Sequence, residues 1–434
     1  MAASSSTSPA LGADANDPAT RAATLLEDLP QEIIDKILVQ LPSKDIGRFR
    51  AVCTSWGSAT STPEFMLEHH RRQPSLPIIN GNGRPASLVV LRDTSARASN
   101  QHLWPFRPGF KHRSEYRLLG SCDGFLVVCR RSQFGSRFYA YNPVIRKHAL
   151  LAQPQVGQSF YNTMIGFYRH HPTGEYRVLW VSRSHHSWSH HLCKPGLYIL
   201  TVGSDRPRYV GFRTTKDLPP SEHIMFLQRL CCSSYYSPPV HHRGSLHWCS
   251  YGTSDIIVFD TQAESFRWMQ SPTELWPSKL FDMKGMLALW AGSARYYNGF
   301  TIMDVWVMRD YEAEIWDFMY RIDLSTVEAS RQLYSTSFYK RNKRKFKKKK
   351  LLHSPVRLFE DMAVLNNREL LIMYNENHVL RCNIDGKFLG IVNLGKGQYY
   401  MWLTQHRLQE SIVPIPYHET QEEDEESVFS TGCV

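Results

Sequence analysis

The residues best suited by type to carry out chemistry form a histidine-rich cluster. Four histidines and one cysteine lie close together in the chain: His185, His186, His190, His191 and Cys193. Imidazole and thiolate groups are zinc ligands, so this set could in principle hold a metal. The cluster lies among Ser and Trp residues typical of a polar loop, however, and loose histidine clusters are common false positives. We therefore predict no metal site and no cofactor.

Motifs for enzyme catalysis are absent from the sequence. The chain has no GxSxG, HExxH or GxxxxGK[ST] pattern, and these patterns would mark a serine hydrolase, a zinc protease or a phosphate-binding loop. His247 lies in the β-rich run Leu246-His247-Trp248, which favours a buried, hydrogen-bonded core histidine over a ligand. The Trp residues at strand positions are likewise interpreted as core. We predict a protein that is not an enzyme.

One basic run dominates the charge of the chain. The net charge is +11, and eight positive charges lie within residues 341–350, which leaves +3 elsewhere. Three interpretations stay open: a solvated loop, a nuclear-import signal, and a mobile arm with non-specific nucleic-acid affinity. The third is the weakest, because no further basic patch supports it. The residues of the import signal would be Lys343, Arg344, Lys345, Lys347, Lys348, Lys349 and Lys350.

The chain lacks membrane and secretion signals. It contains no run of about 18 apolar residues, which a transmembrane helix would require. Residues 1–6 lack the basic start and apolar stretch of a secretory signal. We expect a protein of the nucleus, the cytoplasm or both, with no membrane partner.

Differences in composition and periodicity divide the chain into four parts. Residues 1–24 are rich in Ala, Ser, Thr and Pro and are expected to be disordered. Residues 25–72 show helical periodicity. Residues 75–405 contain short β-rich runs separated by Gly, Pro, Asn and Asp, as in an all-β domain. Residues 406–434 form a predicted C-terminal tail, which includes the acidic run 422–426.

An internal repeat narrows the architecture of the β-rich part. Gly120–Leu126 followed by Tyr141-Asn142-Pro143 matches Gly244–Trp248 followed by Val258-Phe259-Asp260, at an offset of about 120 residues. Leu179-Trp180-Val181 matches Val305-Trp306-Val307 at a similar offset. Three stacked units of about 40 residues, the length of a propeller blade, would explain this offset. The spacing predicts a β-propeller of six or seven blades, with a long sandwich array as the alternative.

The pattern of the helical part predicts two amphipathic helices and a third, short helix. Asp28 is a predicted N-cap with Gln31 as its partner and Pro30 in the first turn. The first helix carries an apolar stripe and ends at Pro42: Ile33, Ile34, Ile37, Leu38 and Leu41. Ser43 is the predicted cap of a second helix reaching Trp56. Thr62-Pro63 begins the third. So small a unit has more apolar residues than it can bury alone, so it needs a partner or a neighbouring domain to cover its apolar face.

This pattern closely resembles the F-box. The match rests on Leu29-Pro30, Glu32-Ile33-Ile34, Ile37-Leu38, Leu41-Pro42, Ile46, Arg48, Arg50, Val52-Cys53 and Trp56. The resemblance implies docking to a Skp-type adaptor, which links the chain to a cullin-RING ubiquitin ligase. The residues implied to form or support that contact are Leu29, Pro30, Ile33, Ile37, Leu41, Pro42, Ile46, Val52, Cys53 and Trp56. Ile34, Leu38 and Phe49 are instead expected to serve the internal core.

The β-rich part is similar to the F-box-associated, kelch-like domains of plant F-box proteins. The motifs that carry this resemblance include Gly120–Gly124, Tyr141–Arg146, Ile165–Tyr168, Gly174–Val178 and Gly244–Trp248. The resemblance implies a non-catalytic subunit of an SCF-type ubiquitin ligase, whose β domain recruits an unknown target protein for ubiquitination. The alternative is a nuclear binding or scaffold protein that acts through its β domain and basic arm outside any ligase.

Overall fold

The computed structural model contains two compact units: a helical unit, which comprises the chain up to Gln73 together with Ser411–Val413, and a β unit, which comprises Pro74–Glu410 and the residues from Pro414 onward. The structure describes residues 30–52, 54–81, 87–91, 103–106, 115–132, 135–155, 160–184, 196–211, 213, 225–231, 237–250, 255–274, 278–283, 285–295, 299–323, 325–332, 359–365, 369–374, 378–392 and 401–416. No helix within these ranges is long and apolar enough to cross a membrane.

The helical unit has four described helices where the sequence predicts three. They are α1 (Gln31–Leu38), α2 (Ser43–Phe49), α3 (Thr54–Ala59) and α4 (Pro63–Arg72). The predicted second helix, from Ser43 to Trp56, is therefore wrong as a single element. The N–H groups of Ala51 and Val52 bond to carbonyls three residues back, at 3.0 Å each. This tighter pattern ends α2 and gives a turn before α3.

The predicted helix caps differ in outcome. Pro30 precedes α1 and supplies no side-chain cap, while Asp28 lies outside the described residues. Ser43 is the first residue of α2 rather than its cap. Its buried hydroxyl forms no hydrogen bond within the described chain, so that prediction is wrong. Thr62 does cap α4: its Oγ1 accepts a hydrogen bond of 3.3 Å from the N–H of Phe65.

The β unit consists of antiparallel strands. In chain order the described strands are β1 (Ser75–Gly81), β2 (Ser87–Leu91), β3 (Leu103–Phe106), β4 (Glu115–Cys122), β5 (Phe125–Ser132), β6 (Gly135–Asn142), β7 (Lys147–Leu151), β8 (Phe160–Arg169), β9 (Tyr176–Ser184), β10 (Gly196–Thr201), β11 (Arg208–Tyr209), β12 (Val240–His242), β13 (Ser245–Cys249), β14 (Ile256–Asp260), β15 (Ser265–Met269), β16 (Ser278–Met283), β17 (Met286–Arg295), β18 (Gly299–Asp310), β19 (Ile315–Asp323), β20 (Phe359–Val364), β21 (Glu369–Tyr374), β22 (His378–Asn383), β23 (Phe388–Ile391) and β24 (Met401–Gln409). Two helical segments, 225–231 and 325–332, lie between strands.

These described strands form six four-stranded sheets, where the sequence predicts six or seven blades. Sheet 1 has the order β24-β1-β2-β3, and sheets 2 to 6 take the remaining strands four at a time in chain order. The strand that begins each sheet contacts the equivalent strand of a neighbouring sheet, as for β4 and β8 or β20 and β24. Repeated antiparallel sheets arranged in this way define a β-propeller.

The last described strand closes the propeller. β24 pairs with β1 from Ser75 opposite Gln409 to Gly81 opposite Met401. The first sheet therefore joins both ends of the β unit, so the β domain extends beyond the boundary at residue 405 predicted from the sequence. Residues 406–409 belong to a strand and not to a tail.

Apolar clusters fill the spaces between successive sheets. One cluster joins Leu179 and Val181 of sheet 3 to Leu246 and Phe259 of sheet 4. Another joins Trp290 and Val305 of sheet 5 to strands of sheet 6. Similar clusters lie between sheets 1 and 2, 1 and 6, and 4 and 5. Burial of apolar side chains between sheets is thus the main contribution to the stability of the β unit.

The repeat of about 120 residues corresponds to two sheets and not to three units of 40. The turns Asp123-Gly124 and Arg243-Gly244 each join the first strand of a sheet to its second, in sheets 2 and 4. Both central residues of each turn have positive φ, 47° and 82° in the first and 46° and 71° in the second. This is the type I′ pattern of a tight hairpin. The motif therefore recurs in alternate sheets.

The predicted match of Trp180 with Trp306 pairs strands that are not equivalent. Trp180 lies in β9, the second strand of its sheet, whereas Trp306 lies in β18, a third strand. The equivalent tryptophans are Trp180, Trp248 and Trp290, in the second strands of sheets 3, 4 and 5. Each is at most 1% exposed, which confirms for these three the prediction that strand tryptophans serve the core, whereas Trp402 of β24 is 39% exposed and does not fit it.

Candidate partner-binding surface and central cavity

The first helix divides its apolar side chains between a core and the solvent. Successive residues of a helix are about 100° apart, so α1 carries two adjacent stripes. Ile34 and Leu38 are buried, with 6% and 3% of their surface exposed, whereas Ile33 and Ile37 are 40% and 44% exposed. The prediction that Ile34 and Leu38 serve the internal core is confirmed. Ile33 and Ile37 form an exposed pair on one face of α1.

Other residues implied to contact an adaptor are also open to solvent. Val52, in the turn after α2, is 68% exposed, and Pro30 and Pro42 are exposed at the starts of α1 and α2. Leu41 is half-buried. Exposed aliphatic side chains are ordinary when scattered singly, but this small unit has several.

Two residues implied to contact a partner belong to the interior instead. Ile46 is fully buried and Trp56 is 8% exposed. The indole of Trp56 packs against the half-buried ring of Phe49, with 5.3 Å between ring centroids. Direct contact of Ile46 or Trp56 with a partner is therefore excluded in this conformation, and support of the surface from below is the role their positions allow. Leu29 and Cys53 lie outside the described residues.

A buried histidine holds the segment that follows α1. His69 of α4 is fully buried, and its Nε2 lies 2.8 Å from the carbonyl oxygen of Leu41. Because a carbonyl only accepts, Nε2 carries the proton and donates it. The bond fixes the carboxyl end of α1 to α4 and so sets the orientation of the helix that carries Ile33 and Ile37.

In the β unit, a carboxylate bridges three sheets. Asp361 of β20 is 5% exposed. Its Oδ2 accepts a hydrogen bond of 2.9 Å from Nζ of Lys279 in β16, and its Oδ1 accepts one of 2.5 Å from Nε2 of Gln405 in β24. The contact ties sheets 5 and 6 to the closing strand. Sequence analysis missed this cluster, because its members are scattered along the chain and carry no local motif.

A cavity of about 230 Å³ lies among the first strands of the sheets. It is lined by residues of β4, β12, β16 and β24 and by the turn after β4. Its charged or titratable lining residues, besides Cys122, are Asp123, His241, Asp282, His406 and Arg407. None of these was singled out as a site residue from the sequence.

The two histidines of the cavity are held in the neutral form. Burial, together with smaller effects of nearby His241 and Arg117, lowers the pKa of His406 to about 3. Burial also lowers the pKa of His241, against an opposing effect of Asp123. Asp123 therefore lies within electrostatic reach of His241, and His241 within reach of His406.

His247 is the core histidine that the sequence predicts. It is fully buried in β13. Its Nδ1 donates to the carbonyl of Val240 at 3.2 Å, and its Nε2 lies 2.9 Å from the hydroxyl of Tyr311. Burial lowers its pKa to about 3. Both ring nitrogens are therefore used inside the fold, and this confirms the structural interpretation.

The residues of the predicted histidine-rich cluster and basic run lie outside the described part of the chain. The histidine-rich cluster, His185 to Cys193, and the basic run, 341–350, are both in segments that the structure does not describe. Among the described residues, no group of three or more His, Cys, Asp or Glu is arranged to hold a metal. The import-signal prediction stays a prediction.

A small helical unit followed by an all-β propeller defines the class of this protein, and comparison with known families specifies it. The model of the F-box domain matches residues 26–68, and that of the F-box associated beta propeller domain matches residues 87–353. The second match covers more than half of the chain. The chain belongs to the F-box proteins with an F-box-associated β-propeller domain.

Two curated relatives from Arabidopsis thaliana are similar over most of their length. The F-box/kelch-repeat protein At3g23880 is 22% identical over 314 residues, covering 68% of this chain and 79% of the relative. The F-box protein At3g07870 is 25% identical over 327 residues, covering 68% and 73%. A solved structure of a Bacteroides caccae protein of unknown function aligns with 78% of this chain and all of its own, at 10% identity and a TM-score of 0.36. That structural likeness supports no conclusion about function.

Proposed function

We propose that this protein is a substrate-recognition subunit of an SCF-type cullin-RING ubiquitin ligase. The helical unit docks onto a Skp-type adaptor, and the β-propeller recruits a target protein. The protein has no catalytic step of its own, because holding a target near the ubiquitin-carrying enzyme raises the effective concentration of the reacting groups. The F-box and propeller matches support this assignment.

The observation that carries the proposal is the exposed pair Ile33 and Ile37. Both are about 40% exposed, while their neighbours Ile34 and Leu38 already fill the core. Burying an aliphatic side chain of this size contributes about 1.5–3 kcal/mol. Interfaces concentrate their binding energy in a few such apolar anchors. A helix that exposes two of them on one face is therefore suited to docking.

The test is co-purification with a Skp-type adaptor. The double variant Ile33→Ala/Ile37→Ala should weaken adaptor binding by about tenfold or more, because burial of the exposed 40% and 44% of the two side chains contributes roughly 1–2 kcal/mol. The matched control is Glu32→Gln, an exposed residue of α1 that lies on another face of the helix. Equal adaptor recovery by the double variant and the control would rule out this docking surface.

A second measurement separates docking from folding. Ile33 and Ile37 are exposed, so their truncation should leave the urea midpoint of the chain nearly unchanged. A reconstituted ligase should then ubiquitinate a bound target with the wild-type chain but not with the double variant. The nuclear scaffold alternative predicts no difference between the two chains.

A further inference from the structure

The central cavity of the β unit has an excess of negative charge. Its charged lining residues are Asp123, Asp282 and Arg407, and both lining histidines have lowered pKa values and are neutral. The sum over the described lining is therefore one negative charge. A cavity with low-dielectric walls concentrates the field of such a charge.

Arg407, the one Arg or Lys among the described lining residues of the cavity, is already used by the protein. Nε of Arg407 donates to Oγ of Ser75 at 3.0 Å, Nη2 donates to the carbonyl of the same residue at 2.6 Å, and Nη1 donates to the carbonyl of Val364 at 2.6 Å. Three of its five N–H donors are thereby engaged. Arg407 acts as a brace between β24, β1 and β20, and it is poorly placed to bind an incoming anion.

Each carboxylate of the cavity has more acceptor sites than any one internal hydrogen bond uses. Oδ2 of Asp123 accepts a hydrogen bond of 3.2 Å from Tyr176, and Oδ1 of Asp282 accepts one of 2.8 Å from the N–H of Gly285. Each carboxylate has about four lone-pair sites. Both side chains can therefore accept further hydrogen bonds from a donor inside the cavity.

A buried imidazole in the cavity wall is also incompletely bonded. His406 is 7% exposed. Its only ring hydrogen bond to a described residue is a long one, 3.4 Å, between Nδ1 and Oγ of Ser121. In the neutral ring one nitrogen is a donor and the other an acceptor. With the proton on Nδ1, shared with Ser121, Nε2 is an acceptor without a partner in the described chain.

We infer that this cavity binds a donor-rich organic cation, a guanidinium or primary ammonium group such as a basic side chain. Two carboxylates and one neutral imidazole present acceptors, and the single guanidinium of the wall is occupied. The cavity is smaller than the ~300–1,000 Å³ of drug-sized ligand sites, which suits one side chain. This assignment concerns the β domain alone and is independent of adaptor docking.

The direct test is ligand-observed NMR with the full-length chain and N-acetyl-arginine methylamide. The neutral isostere N-acetyl-citrulline methylamide is the comparison compound. The arginine probe should bind with saturation and at least about tenfold more tightly, because a hydrogen bond to a charged group contributes more than one to a neutral group. Equal binding of the two probes, or no saturable binding of the arginine probe, overturns the inference.

Three variants locate the site. Asp123→Asn and Asp282→Asn keep an acceptor for Tyr176 and Gly285 but remove the charge, and each should weaken the arginine probe by about tenfold. Asn also tolerates the positive φ of Asp123. The matched control is Asp260→Asn, whose carboxylate caps a hairpin turn outside the cavity lining. Weakening by Asp260→Asn to the same extent overturns the assignment to the cavity.

Two further measurements complete the test. One identifies the source of the cation, and the other checks that the variants are folded. Free arginine binding more tightly than the capped compound would support a small-molecule ligand, and the reverse would support a residue within a polypeptide. Both results support the cation site. Thermal unfolding midpoints that stay within about 2 °C of the wild-type value show that the variants are folded.

Discussion

Glu264 joins two sheets of the β unit through Arg177. Glu264 lies in the turn between β14 and β15, and its Oε1 accepts a hydrogen bond of 2.8 Å from Nη1 of Arg177 in β9. The two side chains are 13% and 11% exposed, so solvent screens them little. Arg208 of β11 donates to the same carboxylate. The carboxylate therefore links sheet 4 to two strands of sheet 3.

The same turn holds Glu264 in a conformation that L-residues disfavour, and this allows a controlled test. Glu264 has φ of 50°, and Arg146, in the equivalent turn between β6 and β7, has φ of 59°. Arg146 is exposed, and its side chain has no carboxylate that could pair with arginines of a neighbouring sheet. A Gly variant relieves the left-handed backbone at either site but raises unfolded-state entropy, two effects that nearly cancel.

We therefore expect Arg146→Gly to change the free energy of unfolding by less than about 0.5 kcal/mol. Glu264→Gly should lower it by about 1–2 kcal/mol, because the partly buried Arg177 loses one of its two carboxylate partners and keeps only Glu175, at 2.7 Å. Urea unfolding followed by tryptophan fluorescence measures both. Equal stability of the two variants would show that the Glu264 contacts contribute nothing.

Removal of the Asp361 carboxylate should destabilise the closing strand. Asp361→Ala leaves Lys279, whose side chain is 21% exposed, without its ion pair, and a loss of about 3–5 kcal/mol is typical when one partner of a buried pair is removed. The amides of β24 should exchange faster with solvent, because Gln405 also loses its acceptor. Hydrogen exchange read by mass spectrometry checks this.

The control for Asp361 is an ion pair at the surface. Arg309 and Asp317 lie 3.4 Å apart with side chains 62% and 51% exposed. Asp317→Ala should change stability by no more than about 0.5 kcal/mol and leave exchange in β24 unchanged. Unchanged exchange in Asp361→Ala as well would contradict the proposed role of Asp361 in closure.

Gly166 lies where sheet 3 approaches sheet 4 too closely for a side chain. A Cβ at this position would lie 2.6 Å from Cδ1 of Leu246, a fully buried residue. Gly166→Ala should cost about 1–3 kcal/mol through overpacking. Adding Leu246→Val removes the clashing atom, so the double variant should lose less stability than the sum of the single losses.

A glycine without neighbours is the matched control. Gly47, in α2, would place a Cβ with no atom within 4 Å. Gly47→Ala should therefore stabilise the helical unit by roughly 0.5–1 kcal/mol, the usual gain for Ala over Gly in a helix. Strictly additive effects of Gly166→Ala and Leu246→Val would show that the two positions are not coupled.

The predictability of this fold from its sequence depended on whether the signal was local. The apolar stripes of α1 and the paired glycine turns are local, and they correctly predicted helices before residue 73 and a repeated β domain after it. That Ile37 is exposed and Ile46 is buried was not predictable. Both are aliphatic residues of one motif, and only the way the four helices pack together makes their exposure differ. Bonds such as Asp361 to Gln405 join distant parts of the chain, so no sequence window contains them.

His247 makes the stability of the β unit sensitive to acid. Its pKa is about 3 in the folded chain and about 6.5 when unfolded, so below pH 6.5 the unfolded state binds the additional proton. The stabilising effect is present above pH 6.5 and decreases as the pH falls toward 3. The free energy of unfolding should drop by about 2 kcal/mol for this residue between pH 7 and pH 5.

His247→Gln, whose amide oxygen can still accept from Tyr311, should reduce that pH dependence, whereas replacement of the exposed turn residue His171 by Gln should reduce it much less. Urea midpoints measured at both pH values check this, and an undiminished pH dependence in His247→Gln would contradict it.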